Sequence, residues 1–173
     1  MILPVYIFGN KVLRKRAENV NKITPELVKL ADNMLETMYD SSGVGLAAPQ
    51  VGRSLRLIVV DITSEEEERK PLYLFNPVVV NARDPSVAEE GCLSVPGIWA
   101  DVQRPETITV EGLGKDGKRL VLKNISGLLA RCIQHEIDHL NGVLFVDKIS
   151  DEDRTLNDEK LKKLSKGSKS VPK

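Results

Sequence analysis

Residues 126–142, SGLLARCIQHEIDHLNG, decide how this chain is read. Leu128, Leu129, Cys132, Ile133, Ile137 and Leu140 recur at helical spacing, which makes one face of a helix apolar. Ser126 stands where a capping hydroxyl belongs, and Asn141-Gly142 is a helix stop signal. Within the helix, His135 and His139 are four residues apart and share a face, one turn above the other. Both imidazoles can therefore reach one metal ion. Glu136 beside them can handle a proton of water bound there, the HExxH arrangement of metal-dependent hydrolysis. These are the only histidines in the 173-residue chain, which favours a metal over two unrelated side chains on a helix face.

Outward from that helix the chain alternates less regularly. Thr24-Pro25-Glu26 reads as a helix start: a capping Thr, Pro at the first helical position, an acid in the first turn. Leu27, Leu30, Ala31, Met34, Leu35 and Met38 continue it at helical spacing, and Ser41-Ser42-Gly43 ends it. Residues 55–62 are rich in β-branched side chains and predict a strand. Residues 72–80 predict another, with an edge or bend at Asn76-Pro77. Residues 107–110 and 120–122 flank a turn signal at Asp116-Gly117 and predict a hairpin. Leu156, Leu161 and Leu164 allow a third helix. Helices and runs of strands that do not alternate one by one point to an α+β fold. Antiparallel or mixed sheets are expected around a central, largely buried helix carrying His135 and His139.

Composition narrows the class further. Lys plus Arg equals Asp plus Glu at 25 each, so no net charge draws the chain to nucleic acid. No DNA partner is expected. No stretch approaches 18 apolar residues, so no membrane span is expected. Residues 1–8, MILPVYIF, are apolar but lack a basic start, which speaks against a secretion signal. Cys92 and Cys132 make no disulfide framework, and a reducing cytoplasm is the expected compartment. Residues 65–68, four glutamates, read as a solvated loop. Residues 1–164 are expected to form one catalytic domain, and residues 165–173 a basic, disordered tail.

Two histidines leave a catalytic metal one protein ligand short of the usual three. Cys92, in Glu90-Gly91-Cys92-Leu93-Ser94, is one candidate. Glu159 is the other, at a spacing that suits a zinc endopeptidase. Cys132 reads as packing near the site. A structural site in a binding module would need a fourth protein ligand, and it would leave Glu136 without a task.

A third segment, residues 43–50, GVGLAAPQ, carries glycines that permit close backbone approach or unusual φ. Together with Glu90 to Ser94 and Gln134 to His139, in this order, it resembles the peptide deformylase family. The family pattern is GxGLAAPQ, then EGCLS, then QHExDH. The flanks Val95-Pro96-Gly97 and residues 140–145, LNGVLF, match too. Asn10-Lys11 departs from the Asp-Pro often found there, which touches only an N-terminal turn.

The resemblance implies that Cys92, His135 and His139 hold one divalent metal. The family uses Fe(II) in cells and accepts zinc, nickel or cobalt. It implies that Glu136 carries the proton, and that the Gln50 amide and the Leu93 N–H stabilise an oxyanion. Gly45 is expected to lie beside the substrate backbone. Val44, Leu46 and Cys132 are expected near the pocket for the methionine side chain. Glu90, Gln134 and Asp138 could orient ligands. The implied reaction removes the formyl group from formylmethionyl nascent polypeptides and releases formate. Transient ribosome contact is implied, with the Lys-rich end as a candidate surface. A cytoplasmic monomer is expected.

Overall fold

Leu57 to Val60 explains the layering. All four residues of this short strand are buried, because alternate side chains enter different cores. Leu57 and Val59 pack with Leu30, Met34 and Met38. Ile58 and Val60 pack with Ala130, Cys132, Ile133 and Leu140. A strand covered on both faces reads as a continuous apolar run, as this one does.

The structure is a computed structural model and describes residues 1–64 and 66–167. Three helices, α1 (Pro25–Asp40), α2 (Gly127–Leu140) and α3 (Asp151–Lys166), accompany five strands. The strands are β1 (Gly45–Ala47), β2 (Leu57–Val60), β3 (Leu72–Cys92), β4 (Val95–Leu113) and β5 (Arg119–Ser126). They form one sheet in the order β1-β2-β3-β4-β5, every neighbouring pair antiparallel. The expected α+β class is observed, with one antiparallel sheet where several or mixed sheets were allowed. Helix α2 packs against all five strands. A third core joins Val95, Ile98 and Val102 of β4 to Leu13, Phe145 and Leu161.

The local signals of α1 hold. Thr24 Oγ1 accepts from Leu27 N–H at 3.4 Å, and Gly43 N–H donates to Met38 O at 2.9 Å past the helix end. Ser126 occupies the position before α2 but makes no capping bond with its side chain. Glu106 Oε1 of β4 instead accepts from Gly127 N–H at 3.1 Å, so the cap comes from the sheet. Asn76-Pro77 marks a register shift between β3 and β4, as its composition suggests. Asn76 there has φ of 50°, and its amide bonds both N–H and O of Val20.

Two expectations fall short. Strand β3 runs on to Cys92 and β4 begins at Val95, far beyond residues 72–80 and 107–110. The missed portion is mostly exposed and polar and contains Pro85, so nothing local marks it as strand. Its pairing with β4, Arg83 with Thr107 and Pro85 with Pro105, holds it extended. Helix α3 continues through Lys166, so Ser165 and Lys166 are helical rather than tail. Gly167 follows at the helix end, and residues 168–173 of the expected tail lie outside the described residues, as does Glu65 of the acidic run. Glu66, Glu67 and Glu68 are exposed, and Glu67 accepts from Ser64 N–H at 3.0 Å. Among the described residues no helix is long and apolar enough to cross a membrane.

Candidate metal centre and substrate cavity

Helix α2 turns the face bearing His135, Glu136 and His139 into the interior, where the three side chains are 8%, 3% and 1% exposed. The tip of the β3–β4 hairpin comes to meet them. Cys92 pairs with Val95 across a two-residue turn, Leu93-Ser94. Cys92 Sγ then lies 3.2 Å from His139 Nε2. The ligand atoms of Cys92, His135 and His139 all fall within 4.8 Å of one another, a group able to hold a metal ion. It is the one such group of three among the described residues. Glu159 is exposed on α3 and takes no part in it.

Buried charge fixes this arrangement. Glu90 Oε1 meets His135 Nδ1 at 2.9 Å, leaving the other ring nitrogen of His135 for a metal. Arg104 grips the same carboxylate twice, at 2.6 and 2.8 Å, and Arg131 adds a contact of 2.8 Å. Arg104 also reaches Asp138 at 2.8 Å, and Lys148 reaches Asp138 at 3.0 Å. Burial would raise the Glu90 pKa, but hydrogen bonds from His135 and Arg104 hold it at about 2. Gln134 turns elsewhere: its amide donates to Pro105 O and Ala130 O, tying α2 to β4 rather than touching a ligand.

Glu136 has the opposite surroundings. Burial pushes its pKa up to about 7, and Oε2 has no hydrogen-bond partner among the described residues. Burial, aided by His135 and Arg104, pushes the His139 ring well down, which leaves it neutral with a lone pair to offer. Burial and nearby Glu136 push the Cys132 thiol well up, so it stays protonated, and it donates to Val44 O at 3.5 Å. That state suits packing, not ligation.

Gln50 is buried in the turn after β1. Its Oε1 accepts from Ala47 N–H at 2.8 Å, so Nε2 is the end that faces the site. Nε2 donates to Ser94 Oγ at 3.1 Å and towards Cys92 Sγ at 3.6 Å. Gly45 passes so close to α2 that a Cβ there would sit 2.5 Å from Glu136 Oε1 and 2.6 Å from Cys132 Sγ. Only glycine allows that approach.

A cavity of about 660 Å³ opens over these groups, lined by Val44, Gly45, Leu93, Cys132, His135 and Glu136 among others. Leu46 is the correction. It is fully buried in the α1 core and does not line the cavity, because successive side chains of β1 point to opposite faces. Sequence reasoning missed Trp99, which lines the cavity 65% exposed and packs on Gly91, where a Cβ would meet the ring at 2.4 Å. It also missed Arg104 and Arg131. Their one signal was Glu90 beside a candidate ligand, an acid that needs a buried cation if it is itself buried.

The family model described as polypeptide deformylase matches residues 2–155, most of the chain. The chain belongs to the polypeptide deformylase family. Polypeptide deformylases are hydrolases that remove the N-terminal formyl group from nascent polypeptides. A peptide deformylase of Agrobacterium fabrum is 46% identical over 169 residues, covering 97% of each chain. The crystal structure of a peptide deformylase from Legionella pneumophila aligns with a TM-score of 0.88 at 42% identity, over 99% of this chain and 100% of that one. A peptide deformylase from Synechococcus elongatus in complex with actinonin aligns at 0.86 with 46% identity, over 91% and 87%.

Proposed function

We propose that this deformylase family member acts on formylmethionyl nascent chains, with Cys92, His135 and His139 as metal ligands and Glu136 as the proton carrier. The observation that carries the reading is the placement of Glu136. It is a buried carboxylate with a free oxygen, next to three converging donors and against the cavity. One thiolate and two imidazoles leave a fourth coordination position for reaction. The donor set suits Fe(II), by family resemblance the ion used in cells, and admits zinc, nickel or cobalt. A divalent ion bound there supplies Lewis acidity and a more acidic water.

Every further task falls to the chain. Glu136 accepts a proton from the water whose oxygen bonds to the formyl carbon. It hands that proton to the amine as the carbon–nitrogen bond breaks, giving formate and a free amino terminus. Gln50 Nε2, aimed by the Ala47 contact, and Leu93 N–H at the hairpin turn serve the oxygen that gains negative charge. Gly45 offers its backbone to an extended peptide. Val44 and Cys132 line the apolar pocket for the methionine side chain.

The test is formate release from a short formyl-Met peptide by protein purified without oxygen or loaded with nickel. Glu136→Gln should retain full metal and lose roughly 10²- to 10⁴-fold in kcat. No release by a fully loaded parent, or an active variant, would overturn the reading.

The same reading places the chain in the cytoplasm as a monomer, meeting the ribosome transiently. Lys160, Lys162, Lys163 and Lys166 stand exposed on α3, while Lys169 and Lys173 lie outside the described residues. Truncation after Leu164 should weaken ribosome binding, and more so at low salt. Unchanged binding would remove the basic end from the account.

A further inference from the structure

Residues 1–8 are the apolar stretch that the reaction as derived leaves without a task. They lie against the site. Leu3, Val5 and Ile7 line the substrate cavity, and Leu3 N–H donates to Thr37 Oγ1 of α1 at 2.9 Å. Tyr6 N–H donates to Gln50 O and Phe8 N–H donates to Ser94 O, each at 2.7 Å. This alternation is that of an extended segment: side chains 3, 5 and 7 on one face, with the N–H groups of 6 and 8 on one edge. The Tyr6 ring is pressed against Gly52, where a Cβ would lie 2.7 Å from it.

These bonds close a ring. Tyr6 holds the main chain of Gln50, the Gln50 side chain holds Ser94 Oγ, and Ser94 O is held by Phe8. The ring encloses the two segments that carry the Gln50 amide and the Leu93 N–H. Those segments are 43 positions apart in sequence and belong to different turns, so neither sets the other's position locally.

We propose that residues 3–8 are a strap that fixes the spacing of Gln50 and Leu93, making Tyr6 and Phe8 positioning residues for deformylation and Leu3, Val5 and Ile7 part of the substrate cavity's wall. The inference rests on the reading of Gln50 and Leu93 as the groups that serve the oxyanion. Tyr6→Pro deletes the donor to Gln50 O, while Tyr6→Phe keeps it together with the ring. Misplacement of a reacting group by about 1 Å can cost on the order of 10²-fold in rate, so a roughly tenfold loss corresponds to a smaller shift of one donor.

The experiment is a double-mutant cycle on the metal-loaded enzyme, with kcat and KM for a formyl-Met peptide. Tyr6→Pro should lower kcat roughly tenfold with KM and metal content held, and Tyr6→Phe should match the parent. In a Gln50→Ala background, Tyr6→Pro should cost nothing further, because the group it positions is gone. An unaffected kcat, or the same loss in both backgrounds, would overturn the strap and leave the oxyanion reading standing. Full activity of Gln50→Ala by itself would overturn both. Should the proline variant fail to fold or to bind metal, Pro4→Gly, which loosens the segment at an exposed residue outside the cavity wall and keeps every N–H, goes through the same cycle under the same criteria.

Discussion

Helices α2 and α3 contain 14 and 16 residues and each follows a serine, yet they are stabilised in opposite ways. Ser150 caps α3 by accepting from Asp153 N–H at 3.1 Å. Asp151, Glu152 and Asp153 crowd its first turn and Lys163 and Lys166 its last, matching the helix dipole at both ends. Lys162 and Asp158 pair one turn apart. Yet α3 buries only Leu161. Helix α2 has no cap from its own Ser126 and no acid in its first turn, takes its cap from Glu106 of the sheet, and buries eight residues. Local signals hold the peripheral helix, and tertiary packing holds the one that carries the chemistry. A helix set by packing against the sheet can keep Glu136 and two histidines dry and fixed, which a frayed surface helix cannot.

The contrast breaks most sharply if the buried ion cluster is cut. Glu90→Ala leaves Arg131 without its carboxylate, leaves Arg104 with Asp138 alone, and frees the His135 ring. Losing one partner of a buried pair costs about 3–5 kcal/mol. Losing the group that orients a ligand weakens metal binding roughly 10- to 100-fold. Urea unfolding of the metal-loaded protein and a metal titration read the two effects. A cost below about 1 kcal/mol, the scale of an exposed pair, would mean that α2 does not depend on this cluster.

The same contrast explains what the sequence disclosed. His135, Glu136 and His139 were legible because helical spacing converts directly into a shared face. Cys92 and Gln50 needed the order of three segments, since nothing at Cys92 itself says that a hairpin tip will carry it to α2. The long reach of β3 and β4 was hidden because residues 81–89 are mostly exposed and polar, and their partners lie 12 to 28 positions away. Leu46 was placed at the cavity because in a three-residue strand a shift of one position changes the face. Arg104 and Arg131 were invisible for the reason that makes them matter: a buried cation is specified by its partner on another element.

A smaller effect tests α3 from its own side. Leu161→Ala removes the helix's one buried side chain, packed in the core that holds Val95 and Phe145. Truncations of this kind cost about 2–5 kcal/mol, and a one-residue anchor puts this one near the low end. Glu159→Ala on the exposed surface should change stability by less than about 0.5 kcal/mol, and it should leave metal content untouched. That near-null result carries the most chemical information. The HExxH helix alone is compatible with Glu159 or Cys92 as the third ligand, and the two ligand sets imply different reactions. If Glu159→Ala empties the site and Cys92→Ala does not, the ligand comes from α3. The peripheral helix would then be part of the centre, and its local stabilisation would serve catalysis directly. If Cys92→Ala empties the site and Glu159→Ala is silent, the centre is built from α2 and the hairpin tip. Helix α3 could then be remodelled on its outer face without a change in turnover.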